Sequence, residues 1–121
     1  MSNSICHIEI MTTDLKKAEK FYSDLFGWKV NSDAMGDGKY SLFEAPKPPH
    51  GGIAKVDKVN PGNNLIFYVE VSDIPGTLTR AESLGAKTVT PKTEINPEVG
   101  WFGNFRDLDG NLIGLYTGAQ K

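Results

Sequence analysis

Cysteine is nearly absent from the 121 residues: Cys6 stands alone. That excludes an intrachain disulfide framework and a cysteine-rich zinc knuckle, and it fits a reducing compartment. Long apolar runs are missing too. The longest unbroken one, Leu65 to Val69, falls far short of the ~20 residues that a bilayer-spanning helix needs, so no membrane partner is expected. Met1 to Met11 contains neither Lys nor Arg and no apolar block of signal-peptide length, which makes the cytoplasm the expected location. Basic residues are in no excess: 13 Lys and Arg stand against 15 Asp and Glu, for a formal net charge of −2. Nucleic acid demands clustered Lys and Arg on one face and is therefore not an expected partner. The local basic cluster, Lys16, Lys17 and Lys20, has helical spacing and reads as a solvated face.

What remains is an ordinary globular composition, 39% hydrophobic and 23% charged, expected to form one domain over residues 1–121. A chain of this length buries about two-thirds of its unfolded surface, enough for a core without staples. Residues 5–11 alternate in character and read as a strand. Asp14 to Phe26 follows with Leu15, Ala18, Tyr22 and Leu25 on one helical stripe and Gly27 as its stop. Leu65 to Val71 reads as a second such strand. Ser72 or Asp73 with Pro75 opens a second helix, with Ile74, Leu78, Ala81 and Leu84 as its stripe and Gly85 as its stop.

These blocks repeat. Asp14-Leu15 and the helix ending Leu25-Phe26-Gly27-Trp28-Lys29 match Asp73-Ile74 and the helix ending Ser83-Leu84-Gly85-Ala86-Lys87, with the two Asp residues 59 positions apart. Strand-like pieces follow each helix: Lys29–Val30, Lys39–Phe43 and Gly52–Val56, then Thr88–Val89, Trp101–Arg106 and Leu112–Tyr116. Each half reads β-α-β-β-β, with module one at about 4–57, a linker at about 58–64 and module two at about 65–118. Pro46 to Gly52 has the length of a loop at a pocket rim, and its His50 reads as a lone surface histidine. Asp107 to Asn111 carries the Asp-Gly signal of a tight hairpin.

His7-Ile8-Glu9-Ile10, Asp14, and the helix from Phe21-Tyr22 to Leu25-Phe26-Gly27-Trp28 form one recognisable motif. Gly100-Trp101-Phe102-Gly103-Asn104-Phe105-Arg106-Asp107-Leu108-Asp109-Gly110-Asn111, then Ile113-Gly114-Leu115, form a second. In this order and spacing the chain resembles the vicinal oxygen chelate superfamily of glyoxalase I, bleomycin-resistance, fosfomycin-resistance and extradiol dioxygenase families. The resemblance implies an α+β fold of two tandem βαβββ modules forming a curved sheet around a cleft. It also implies a divalent metal that polarises vicinal substrate oxygens. In metal-using members the ligands come from the first and last strands of each module. His7 matches the first of these positions, but its counterpart seven residues before Asp73 is Ile66. The last-strand position four residues after Gly110 is Gly114, and Gly51 to Val56 offers no carboxylate. One neutral imidazole does not hold a divalent ion against water. The standard metal is therefore not expected as a cofactor, and an improvised site would draw on His7, Glu9 and Glu70.

Strand alternation puts His7, Glu9 and Met11 on one face and Ile8, Ile10 and Thr12 on the other; later it separates Ile66, Tyr68 and Glu70 from Phe67, Val69 and Val71. The apolar sets are expected to pack on the helices, leaving His7, Glu9 and Glu70 as acid–base candidates on the cleft side. The resemblance to the fosfomycin-resistance family turns Asn104 toward the pocket. Phe102, Asn104, Tyr68 and Tyr116 then become lining candidates, with Gly114 leaving room where a Glu side chain would project. Arg106 and Asp107 are read as braces of the hairpin. The expectation is a homodimer whose cleft binds a small organic molecule without the standard metal. The alternative is a metal-dependent lyase or isomerase of the glyoxalase I type, and a third reading is a metal-free enzyme with His7, Glu9 or Glu70 as its base.

Overall fold

In the computed structural model, which describes residues 3–60 and 65–119, both helices start the same way. Helix α1 (Leu15–Phe26) is capped by Asp14 at φ −142°, ψ 98°, whose carboxylate accepts from the Lys17 amide. Helix α2 (Ile74–Ser83) is capped by Asp73 at φ −142°, ψ 95°, accepting from the Gly76 amide, with Pro75 in the first turn. Gly27 ends α1 in the left-handed region at φ +71°, its amide donating to the Ser23 carbonyl over 2.8 Å.

The strands are β1 (Ile5–Thr12), β2 (Lys29–Asn31), β3 (Tyr40–Glu44), β4 (His50–Lys55), β5 (Leu65–Glu70), β6 (Lys87–Asn96), β7 (Gly100–Arg106) and β8 (Leu112–Gly118). The order β-α-β-β-β occurs twice, which makes the fold mixed α+β with two tandem βαβββ modules. Residues 61–64, the centre of the expected linker, lie outside the described residues.

The chain divides into two compact units. The first, Cys6–Ile66, has strands in the order β2-β3-β4-β1, with β1 parallel to β4 and the other neighbours antiparallel. The second runs from Phe67 and takes in the N-terminal residues through Ile5, the Glu70 amide donating to the Ser4 carbonyl over 2.9 Å. Its order is β5-β8-β7-β6, with β5 parallel to β8.

Each sheet has one face on its helix. In the second unit Val71, Ile74, Leu78 and Leu115 form the buried core, flanked by Val69, Trp101 and Phe105. The first unit packs Ile53, at 0% exposure, with Phe43, and Trp28 stacks on Phe43 at 4.5 Å between ring centroids. The stripe expected on α1 is corrected at two positions. Leu25 is 59% exposed, and Glu19 is the buried residue of the helix. Its carboxylate accepts from Ser32 Oγ at 2.8 Å and from the fully buried Ser41 Oγ, which meets the demand of a buried carboxylate for donors.

Candidate functional site

Pairing across the strands arranges side chains of the helix-free faces in rows, because paired residues share a face. In the first unit one row runs Glu9, Gly52, Leu42, Asn31 across β1, β4, β3 and β2. His7 and His50 stand side by side in the row before it, and Met11, Ala54 and Tyr40 in the row after. In the second unit the equivalent rows are Tyr68, Gly114, Asn104, Thr90 and Glu70, Tyr116, Phe102, Thr93 across β5, β8, β7 and β6.

His7 and Glu9 are brought together in the first unit by a residue that sequence reasoning passed over. The Tyr40 hydroxyl lies 2.7 Å from His7 Nε2 and also hydrogen-bonds the Glu9 carboxyl. Burial pushes the His7 imidazole below its ordinary pKa and pushes the Glu9 carboxyl above its own, an effect the Tyr40 hydrogen bond partly offsets. Tyr40 can be there because residue 52 has no side chain: a Cβ on Gly52 would lie 2.0 Å from the Tyr40 hydroxyl oxygen. The reading of His50 as an isolated surface residue is corrected, since it opens β4 directly beside His7. Its Nδ1 accepts from the Ala45 amide at 3.1 Å, so in the neutral ring the proton sits on Nε2. The strand begins at His50, two residues before the expected start, and the rim loop is correspondingly shorter.

Tyr68, Phe102, Asn104, Gly114, Tyr116 and Glu70 share the helix-free face of the second unit, by the rows above. The expected room at Gly114 is corrected. The Tyr68 ring fills it, with Cδ2 2.3 Å from where a Cβ would stand. Tyr116 donates from its hydroxyl to the Val99 carbonyl. Asn104 is 9% exposed, and its Oδ1 is buried with no hydrogen-bond partner. Gly103, one residue away, faces Ile74 and Leu78 of α2, which fixes Asn104 on the opposite face. Arg106 and Asp107 brace the β7–β8 turn: Arg106 Nη1 donates to the Gly110 carbonyl at 3.1 Å, and Asp107 Oδ1 accepts from the Asp109 and Asn111 amides at 2.9 and 2.8 Å.

The residues present do not fit the metal set of the metal-using families. His7 Nε2 is engaged by a phenol, Ile66 is an apolar side chain 6% exposed, and tyrosine rings occupy the space over both last-strand glycines, Gly52 and Gly114. Among the described residues no group of three His, Cys, Asp or Glu side chains is placed to hold an ion. A cavity of about 420 Å³ in the first unit lies elsewhere, beside the start of α1, and is lined by Asp14, Lys16, Glu19, Ser32, Asp33 and Lys55 among others. None of the site candidates read from the sequence borders it.

Comparison with known proteins agrees with this architecture. The family model described as Glyoxalase/Bleomycin resistance protein/Dioxygenase superfamily matches residues 4–115. A glyoxylase-like domain-containing protein of Didymella fabae is 34% identical over 127 residues, covering 100% of this chain and 98% of that protein. Among solved structures, methylmalonyl-CoA epimerase from Mycobacterium tuberculosis superposes with a TM-score of 0.73 at 19% identity, covering 96% of this chain and 88% of that one. The Mn(II)-bound glyoxalase from Novosphingobium aromaticivorans gives 0.69 at 17% identity, covering 98% of this chain and 41% of that one. At such identities the structural likeness carries the fold alone.

Proposed function

Because the chain belongs to the glyoxalase/bleomycin resistance protein/dioxygenase superfamily, we propose that it binds a small organic molecule on the helix-free sheet faces and does so without the superfamily's standard metal. The observation that carries this reading is the pair of last-strand glycines, Gly52 and Gly114, each covered by a tyrosine ring. A carboxylate ligand has no room at either place while Tyr40 and Tyr68 hold their positions. Tyr68, Phe102, Asn104, Gly114 and Tyr116 are the proposed contacts, and aromatic walls with a few polar groups suit an uncharged organic ligand. His7 and Glu9, coupled through Tyr40, and Glu70 are the acid–base candidates should binding be accompanied by proton transfer. Thermal-shift screening against a metabolite library, with and without divalent ions, tests the reading. Stabilisation by an organic compound in the presence of a chelator is the expected result. Stabilisation only by compounds added together with a divalent ion overturns it.

A metal-dependent lyase or isomerase of the glyoxalase I type is the rival, favoured by the 34% identity to the glyoxylase-like protein. Turnover of methylglyoxal and glutathione with added Ni or Zn at roughly 1–1000 per second would put it ahead. We further take modules 4–57 and 65–118 to act as a single cytoplasmic domain. Phe21, Leu25 and Phe26 of α1, at 57, 59 and 55% exposure, support a homodimer. Sedimentation that returns a monomer at all concentrations removes the dimer.

A further inference from the structure

We propose that the cavity beside the start of α1 is a second ligand site, and that it takes a small zwitterion, with an ammonium group for Glu19 and a carboxylate for Lys16 and Lys55.

Glu19 is the starting point. It is 9% exposed and is the buried residue of α1. The fold does not require a carboxylate there. Counted from the capping Asp, the equivalent residue of α2 is Leu78, which belongs to the apolar core of the second unit. A leucine fits that place in the repeat, so the carboxylate is specific to the first unit. Two serines meet it, Ser32 at Oε1 over 2.8 Å and Ser41 at Oε2. Their hydroxyls donate hydrogen bonds but bring no charge, and a buried charge is normally paired with an opposite one. Each carboxylate oxygen has room for a second donor.

The space for a partner lies beside it. Glu19 and Ser32 both line the cavity of about 420 Å³, a volume within the range of small-molecule pockets. All the residues around it belong to the first unit. Lys16 and Lys55 stand on its wall, from the first turn of α1 and the end of β4. Lys16 precedes Glu19 by three positions, a spacing at which helical side chains can pair. It does not do so: among the described residues the ion pair of this helix is Lys20–Asp24, and neither Lys16 nor Lys55 is in one. The other two carboxylates of the wall serve the backbone, Asp14 accepting from the Lys17 amide and Asp33 from the Gly38 amide. One cavity therefore holds a buried anion without a cation and two cations without an anion. A simple amine leaves the lysines unmatched, and a simple acid leaves Glu19 unmatched. A molecule with both charges serves all three.

β-Alanine and γ-aminobutyrate test this against propylamine, butylamine, propionate and butyrate, which keep the chain and drop one charged end. They are titrated into the full chain and followed by amide chemical shifts. Each amino acid is expected to bind about tenfold more tightly than its acid, which lacks the ammonium for the buried Glu19. It is expected to bind about threefold more tightly than its amine, a smaller gain because Lys16 and Lys55 are exposed. The shifts are expected to centre on the cavity wall, at residues 13–19, 32–38 and 55. In Glu19→Gln the advantage over the acid is expected to vanish. In Lys16→Gln combined with Lys55→Gln the advantage over the amine is expected to vanish, and this exposed pair carries the test if Glu19→Gln fails to fold. Equal binding of amino acid and acid by the unaltered protein overturns the proposal, as does an advantage that survives in the variant built to remove it. Binding of none of the six compounds overturns it as well, and so do shifts centred away from the cavity. None of these outcomes bears on ligands of the helix-free faces, whose proposed contacts are other side chains.

Discussion

The two units share a scaffold and divide its chemistry. Asp14 and Asp73 cap their helices with nearly the same dihedral angles, and in each sheet a tyrosine ring covers a last-strand glycine. The first unit carries polar groups on both faces: Glu19 with Ser32 and Ser41 lies under α1 beside the apolar Ile53 and Phe43, and His7, Tyr40 and Glu9 are linked on the other side. The second unit packs Ile74 and Leu78 under α2 and carries aromatic rings with one unpaired amide oxygen opposite. Repetition of the backbone pattern therefore preserves caps, register and close approaches, while the residues in the rows are free to diverge. The His7–Tyr40–Glu9 hydrogen bonds belong to the first unit, and Tyr68, Tyr116 and Phe102 share the helix-free face of the second.

The contrast under the helices gives the largest expected effects. Ile74→Ala removes a side chain at 0% exposure and is expected to lower unfolding free energy by about 2–5 kcal/mol in urea melts. Ser41→Ala takes one donor from the buried Glu19 carboxylate and is expected to cost less, about 1–3 kcal/mol. A larger loss for Ser41→Ala than for Ile74→Ala would mean that the polar face carries the first unit as strongly as apolar packing carries the second.

The covered glycines sharpen the comparison next. Gly52→Ala and Gly114→Ala each bring a methyl group against a tyrosine, at 2.0 and 2.3 Å from the nearest atom, and each is expected to cost about 1–3 kcal/mol. Gly52→Ala is expected to perturb the His7 ring resonances, since the Tyr40 hydroxyl that it displaces lies 2.7 Å from His7 Nε2. An unchanged His7 spectrum in Gly52→Ala would break the link between the glycine, Tyr40 and the imidazole.

The smallest effect concerns pH. Burial holds Glu9 above its ordinary pKa, so the folded chain binds that proton more readily than the unfolded chain does. The associated stability is full below the ordinary carboxylate range and is lost as pH rises through the raised value. Glu9→Gln carries no such charge and is expected to gain on the unaltered protein over that interval, then to keep a constant lead. His7, lowered by burial, acts in the opposite sense: its share of stability is full above the ordinary imidazole value and fades as pH falls toward the lowered one. Melting temperatures across a pH series read both trends.

Much of this architecture was legible in the residues. Asp caps and the 59-residue spacing of Asp14 and Asp73 report local physics that tertiary structure did not override. The helix stripes hold at Ile74 and Leu78 but fail at Leu25 and Leu84, which are 59% and 64% exposed. Strand β6, which runs from Lys87 to Asn96, was not legible beyond Thr88 and Val89. Its sequence is rich in Lys and Thr and contains Pro91, which argues against a central strand. It stands at the outer end of its unit, where the pairing with β7 shifts register between Thr90 and Thr93 and accommodates the proline. Strand pairing puts Glu9 in one row with Gly52, and Tyr68 in one row with Gly114 and Asn104, as alternation along each strand requires. Tyr40, His50 and Glu19 were missed because their partners are 33, 5 and 22 residues away, as are His7, Ala45 and Ser41. No periodicity in one strand or helix encodes which hydroxyl will meet which carboxylate.

The most direct test of the central claim, that tyrosines occupy the places a metal site would need, is titration of chelator-stripped protein with Mn(II) while amide resonances are recorded. Only weak, diffuse broadening at surface carboxylates is predicted, with His7, Glu9, Gly52 and Gly114 unaffected at one equivalent. Saturable one-to-one broadening centred on His7 and either glycine would contradict it.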